Sequence, residues 1–259
     1  MGSITWGPEI AEVYDQTYAA QSATPVLGPM VDLLAELARG GPVLEFAAGT
    51  GRVALPLAAR GIAVHGIELS PHMAERMAAK PGAGAVPVTI GDMTSTRVLG
   101  IFRLVYLVAN TIMNVTTQDH QLAVFGNAAA HLEPGGCFVV EVEVPQLRRV
   151  PPGETAWVFT LSPDHVGIET FDDTAAQIAW SRHWIEVEGA AGAPLRALPV
   201  RVAVRAGPDG QDHRFPGPGP LGGLGPGAIH LRQHQPSRSL RETAAAAGTR
   251  RSAGSARLT

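Results

Sequence analysis

The chain has 259 residues, 45% of them hydrophobic and 17% charged, which suits one core-forming domain with an insertion. Its single cysteine, Cys137, excludes an internal disulfide framework and a cysteine-based zinc site. Net charge is −3, but residues 1–193 carry −10 and residues 194–259 carry +7, so composition changes sharply near residue 194.

The first 150 residues alternate helix and strand. Pro25–Ala38 reads as an amphipathic helix stopped by Gly40-Gly41. Val43–Phe46 is a first strand and Ala47–Gly51 a small-residue loop. Arg52–Arg60 is helical, and Ile62–Ile67 is a second strand. Ser70-Pro71 supplies a helix start, with Ser as cap and Pro in the first turn. A helix to Lys80, a third strand at Val86–Ile90 and a nearly all apolar fourth at Phe102–Val108 follow. Gln118–Leu132 is helical, and Pro134-Gly135-Gly136 turns into a fifth strand, Cys137–Val144. Repeated strand–helix–strand units predict an α/β, Rossmann-like, doubly wound and mostly parallel sheet with helices on both faces. No apolar run approaches the roughly 20 residues of a membrane helix. The start, MGSITWGPEI, lacks a basic segment followed by an apolar one, so a cytoplasmic protein without a membrane partner is expected.

Ligands of such sheets bind beyond the carboxyl ends of the strands. Strand one ends in Glu45-Phe46-Ala47-Ala48-Gly49-Thr50-Gly51-Arg52, where glycines let a ligand approach the backbone. Strand two ends at Glu68, whose two acceptor oxygens suit the hydroxyls of a ribose. Strand three ends in Gly91-Asp92-Met93, which suits an adenine amine and ring. Each feature alone is commonly a turn or a helix cap. Three successive strand ends together point to an adenosyl ligand.

The segments VLEFAAGTGRVALPLAARGIAVHGIELSPHMAERMAAK, IGDMTS, FRLVYLVANTIMN and LEPGGCFVVEV together resemble a class I S-adenosylmethionine-dependent methyltransferase over about residues 10–190, of the kind acting on amino-sugars and natural products. The resemblance implies Glu45 near the methionine amino group and Gly49 and Gly51 under the cofactor, within a loop that includes Ala47 and Arg52. It implies Glu68 on the ribose, Asp92 on the adenine, and backbone contacts from Leu69, Met93 and Ala109. The rival is a nicotinamide oxidoreductase, since Gly49-Thr50-Gly51-Arg52-Val53-Ala54 formally fits its glycine fingerprint. Glu45 argues against it: a carboxylate there repels a pyrophosphate and attracts a sulfonium with an ammonium group. A non-catalytic remnant of the family is a further alternative.

The expected reaction is in-line methyl transfer to an N or O atom of a small-molecule acceptor, governed by alignment and exclusion of water. Tyr14 and Tyr18 are four apart and share a helix face. In resembling enzymes such a pair lies in a lid over the cofactor, so Tyr14 is assigned to the cofactor and Tyr18 to the acceptor. Trp157–Leu161, Val166–Phe171 and Gln177–Glu188 alternate as strands of an antiparallel β insertion after strand five. Trp180, His183 and Trp184 are its candidate pocket residues, with His183 the candidate base. Asn110 and Glu141 are further acceptor candidates. No His, Asp or Glu cluster has metal-ligand spacing, so no metal is expected. The acidic body argues against specific nucleic-acid binding. The boundaries are 1–150 for the cofactor core with N-terminal lid helices, 151–193 for the insertion and 194–259 for the tail.

The tail holds ten Gly, eight Pro and ten Arg in 66 residues, and predicts a disordered segment. The family should finish with further strands and a helix. Read one nucleotide later, the codons of Leu198–Phe215 permit YRYVWPSELDLMARITGF, and those of Gly223–Gln233 permit AWDREPFTSDS. The first is similar to the strand–turn–helix that resembling enzymes carry there, which implies a shifted reading frame. Loss of the final strands is expected to uncover strand four and favour aggregation.

Overall fold

The computed structural model describes residues 5–142, 153–162, 165–173, 178–185, 196–203 and 229–233. Three N-terminal helices, α1 (Pro8–Thr17), α2 (Ala19–Ser22) and α3 (Thr24–Ala38), precede the sheet. Pro8 starts α1, and Arg39 in the left-handed conformation (φ 49°) followed by Gly40 (φ 77°) ends α3. Then come β1 (Val43–Phe46), α4 (Ala54–Ala58), β2 (Val64–Glu68), α5 (Pro71–Ala78), β3 (Val88–Ile90), β4 (Phe102–Leu107), α6 (Gln118–His131) and β5 (Leu132–Val142). The Ser70 side chain accepts from the Met73 amide at 3.3 Å, and the Thr117 hydroxyl accepts from the His120 amide at 3.3 Å. Both helix starts therefore carry a side-chain cap.

The sheet order is β3-β2-β1-β4-β5-β10, and every pair in it is parallel. The chain leaves β1 to one side for β2 and β3, then returns to its other side for β4. This reversal opens a crevice at the carboxyl ends of β1 and β4. Apolar side chains cover both faces. Leu34, Val43, Leu57, Leu104 and Tyr106 fill one layer, and Leu44, Phe46, Ile67, Val105 and Phe138 the other. The strand predicted from Cys137 begins earlier, at Leu132, and passes through Gly135 (φ 81°) in an irregular register against β4. The Pro134-Gly135-Gly136 turn is a bulge inside the strand rather than a break before it.

The insertion is an antiparallel sheet in the order β6-β7-β8-β9, formed by Ala156–Leu161, His165–Asp173, Ile178–Ile185 and Arg196–Ala203. Two stretches of the tail thus differ from the expectation of disorder. Arg196–Ala203 is β9, paired to β8, and Ile229–Gln233 is β10, paired to β5. Open strand edges draw in neighbouring chain of alternating or β-branched pattern, which both stretches have. The rest of 194–259 lies outside the described residues, as does the expectation placed on it. Strand four is not the exposed edge either, because β1 and β5 flank it and β10 pairs with the outer side of β5. Among the described residues, no helix is long and apolar enough to cross a membrane.

Candidate functional site

The loop after β1 is built for close approach. Gly49 (φ 58°) and Gly51 (φ 81°) take left-handed backbone, and Ala47 is forced there too, at φ 53°. Non-glycine residues rarely adopt this region, and such strain gathers at functional loops. A Cβ on Gly51 would lie 2.8 Å from Met77 Cγ and 2.9 Å from Leu55 Cγ, so both space and conformation demand glycine. Glu68, at the end of β2, ties this loop to its own turn. One carboxylate oxygen accepts from the Gly49 amide at 2.7 Å, and the other from the Ser70 amide at 2.8 Å. Burial pushes its carboxyl above the usual range, and the amides of Ser70, Gly49 and Leu69 pull it back. The carboxylate keeps acceptor capacity for a hydroxyl donor.

After β3, Asp92 Oδ1 accepts from the Thr94 amide at 2.8 Å, which folds the loop back on itself. Asn127 of α6 secures that loop, donating from Nδ2 to the carbonyls of Met93 at 2.7 Å and Thr96 at 3.0 Å. The Met93 side chain is buried within the core layer. After β4, Ala109 (φ 59°) and Asn110 (φ 58°) make a second strained corner. The Ala109 amide donates to Glu141 Oε2 at 2.8 Å, so Glu141 braces this corner from β5. At the core of the crevice, Tyr106 donates its hydroxyl to Glu45 Oε2 at 2.8 Å. Burial pushes Glu45 up to about 8, against the opposing effects of Tyr106 and the Arg52 charge.

Asp15 of the N-terminal helix, Thr50 of the loop and Lys80 form a triangle of three contacts. Thr50 Oγ1 donates to Asp15 Oδ1 at 2.6 Å, Lys80 Nζ pairs with Asp15 Oδ2 at 2.6 Å, and Lys80 also donates to the Thr50 carbonyl at 2.8 Å. Ser70 Oγ donates to the Trp6 carbonyl at 2.5 Å. The helix breaks at Tyr18, yet the rings of Tyr14 and Tyr18 still pack with centroids 4.7 Å apart. Burial raises Tyr14 to about 12, and Tyr18 likewise upward, so both phenols stay neutral. Arg52, whose charge acts on both phenols, donates to the Gln21 carbonyl at 3.4 Å.

A cleft lies between α1 and β8, lined by Trp6, Ile10, Val13, Tyr14, Thr17, Tyr18 and His183. His183 has both ring nitrogens engaged, Nδ1 with His165 Nε2 and Nε2 with Ser181 Oγ, each at 2.9 Å. Burial and the neighbouring His165 lower its pKa to about 4.

The structure thus brings Glu45, Gly49, Gly51, Glu68 and Asp92 to adjoining strand ends, under a lid bearing Tyr14, Tyr18 and Asp15. It joins Tyr18 with His183 but not with Trp180. Residues 180 and 183 are an odd number apart on β8, so their side chains leave opposite faces. The same strand period was available in the sequence. Asp15, Thr50, Lys80, Tyr106 and Asn127 have no local signal, because their partners lie 30 or more residues away. Among the described residues, no three of His, Cys, Asp or Glu converge as a metal site.

The donor set fits S-adenosylmethionine. Buried acids stand at the ends of β1 and β2, and Asp92 follows β3, around a loop in which Gly51 has no room for a Cβ. Residues 43–136 match the model of a family described as a methyltransferase domain. The CcbJ methyltransferase of Streptomyces caelestis is 33% identical, with a TM-score of 0.66 over 78% of this chain and 81% of that one. The dTDP-4-amino-2,3,4,6-tetradeoxy-D-glucose N,N-dimethyltransferase of Saccharopolyspora spinosa is 30% identical over 142 residues, 54% of this chain and 56% of that enzyme. The chain thus spans about half the length of that curated relative. The S-adenosylmethionine-bound amino pentose methyltransferase CalS10 of Micromonospora echinaspora shares the fold, with a TM-score of 0.58 at 19% identity over 79% of this chain and 85% of that one. The strand-end acids, the glycine loop and these likenesses lead to one conclusion: the chain belongs to the class I S-adenosylmethionine-dependent methyltransferases.

Proposed function

We propose that the protein methylates an amine nitrogen of a small, sugar-like acceptor that approaches along the side of α1 facing β8. The observation that carries this reading is the position of the lid. Tyr14 lies within electrostatic reach of Glu68 and Arg52 on the cofactor side, while Tyr14 and Tyr18 line the cleft that His183 closes. One helix therefore walls both subsites. The amino-sugar acceptor named for the relative from Saccharopolyspora spinosa supports nitrogen over oxygen.

Bound S-adenosylmethionine supplies an electrophilic methyl group on a positively charged sulfur. Glu45 attracts the ammonium end, Glu68 receives the ribose, and Asp92 receives the adenine amine. Tyr14 and Tyr18 exclude water from the line of transfer and remain neutral through the working pH range. An amine arriving without its proton needs no base to attack. His183, with a pKa near 4, is a weak proton acceptor at neutral pH, so we assign it to the cleft wall. Its replacement by Gln should keep kcat within about tenfold, whereas loss of a general base costs about 10²–10⁴-fold.

The test is incubation with S-adenosylmethionine and paired acceptors, amino-sugars against their hydroxyl analogues, read by mass spectrometry. The reading predicts one or two added methylene masses on the amino member alone. Methylation of the hydroxyl analogues alone would overturn the nitrogen assignment.

A further inference from the structure

Glu45 and Tyr106 sit opposite each other in the register of β1 and β4, at the strand reversal where the crevice opens. Tyr106 is fully buried and Glu45 is 3% exposed, so neither can turn to solvent for another partner. The tyrosine hydroxyl donates to the carboxylate at 2.8 Å rather than to water. A tyrosine that only filled the core would leave its hydroxyl without use, and phenylalanine would serve as well. Its hydroxyl instead takes one oxygen of the acid that stands before the loop. A carboxylate with one oxygen fixed has its other oxygen fixed as well, because the two share a plane.

We propose that Tyr106 is a positioning residue for cofactor recognition: by holding Glu45 Oε2, it presents the remaining carboxylate edge to the α-ammonium of S-adenosylmethionine. The inference rests on the proposed assignment of Glu45 to that ammonium. The groups acting on Glu45 come from each neighbouring element. Tyr106 on β4, Arg52 on the loop and the Ala54 amide at the start of α4 favour its charge, and Glu68 on β2 opposes it. Burial outweighs them and keeps the carboxyl protonated in the cofactor-free protein to about pH 8. An arriving ammonium reverses that balance. Binding therefore releases one proton: the neutral carboxyl and the ammonium become a carboxylate–ammonium pair, and the proton passes to solvent. No bond of the cofactor changes in this step.

The experiment is calorimetric titration with S-adenosylhomocysteine between pH 6 and 7.5, in buffers of different ionisation enthalpy, so that proton release is counted directly. The wild type should release about one proton, with affinity rising about tenfold per pH unit. Glu45→Gln should release none and lose the pH slope. Tyr106→Phe should keep the slope and bind about tenfold more weakly at pH 7, the effect of losing a hydrogen bond to a charged group. Should that variant fail to fold, 3-fluorotyrosine at position 106 keeps the shape and strengthens the donor. It should tighten binding by about threefold. Tyr106→Phe or fluorotyrosine binding indistinguishable from wild type, while Glu45→Gln loses the slope, would overturn the role of Tyr106 alone. A slope retained in Glu45→Gln would overturn the ammonium assignment and this inference with it. Failure of the folded wild type to bind S-adenosylhomocysteine would overturn the proposed function as well.

Discussion

At the scale of single residues, the site is a set of buried acids held by short-range donors. Glu45 shows what such a position does to stability. Its carboxyl is pushed up to about 8 in the folded chain, from an ordinary value of 4.5. The folded state then holds a proton that the unfolded state gives up, so stability is full below about pH 4.5 and is lost as pH rises towards 8. The cofactor-free protein should melt at a lower temperature at pH 8 than at pH 5, and Glu45→Gln should flatten that dependence. An unchanged dependence in the variant would assign the effect to other groups. Gly51→Ala tests the loop. The added carbon would press on Met77 and Leu55 at φ 81°, and should destabilise the fold by about 1–3 kcal/mol in a denaturant titration. Glu45, Gly49, Gly51, Glu68 and Asp92 were legible in the sequence because a strand end and the loop after it are contiguous. Tyr106 was not, because nothing local says which side chain on β4 will face β1.

At the scale of elements, the informative unit is the lid helix with its anchor. Asp15 receives Thr50 of the cofactor loop and Lys80 just beyond the end of α5, closing a triangle among three segments. The loop cannot shift without disturbing the helix that bears Tyr14 and leads into Tyr18. Asp15→Asn removes the charge and keeps the shape, and should speed cofactor dissociation by about five- to tenfold in stopped-flow measurements. An unchanged rate would make the triangle a structural tie only. The sequence revealed the tyrosine pair through its spacing but placed both on one continuous helix, whereas the chain breaks at Tyr18. It also grouped Trp180 with His183, which the alternation of β8 separates. Pattern identifies an element well. Its facing depends on register, which distant partners set.

At the scale of the whole molecule, the chain divides into a cofactor core that its local sequence specifies closely and a carboxyl-terminal region of another composition. The parallel pairing of β1 to β5 follows from the strand–helix alternation of the first 142 residues, and the fold sets their order as β3-β2-β1-β4-β5. Beyond it, β9 and β10 occupy open edges of the two sheets, and their short alternating or β-branched stretches stand within a Gly- and Pro-rich sequence that hides them. We propose that this tail is read in a shifted frame. Restoring the frame at residue 196 should then raise the melting temperature and reduce aggregation, by giving β5 a partner strand of ordinary apolar pattern. Equal melting temperatures, or the same tail in an uninterrupted frame in independently sequenced relatives, would refute this. The crevice at the strand ends can be probed by calorimetric titration of the folded protein with S-adenosylhomocysteine, with NADH in parallel. An adenosyl site should bind S-adenosylhomocysteine at micromolar concentration and NADH not at all; binding of NADH alone, or of neither ligand, would exclude such a site.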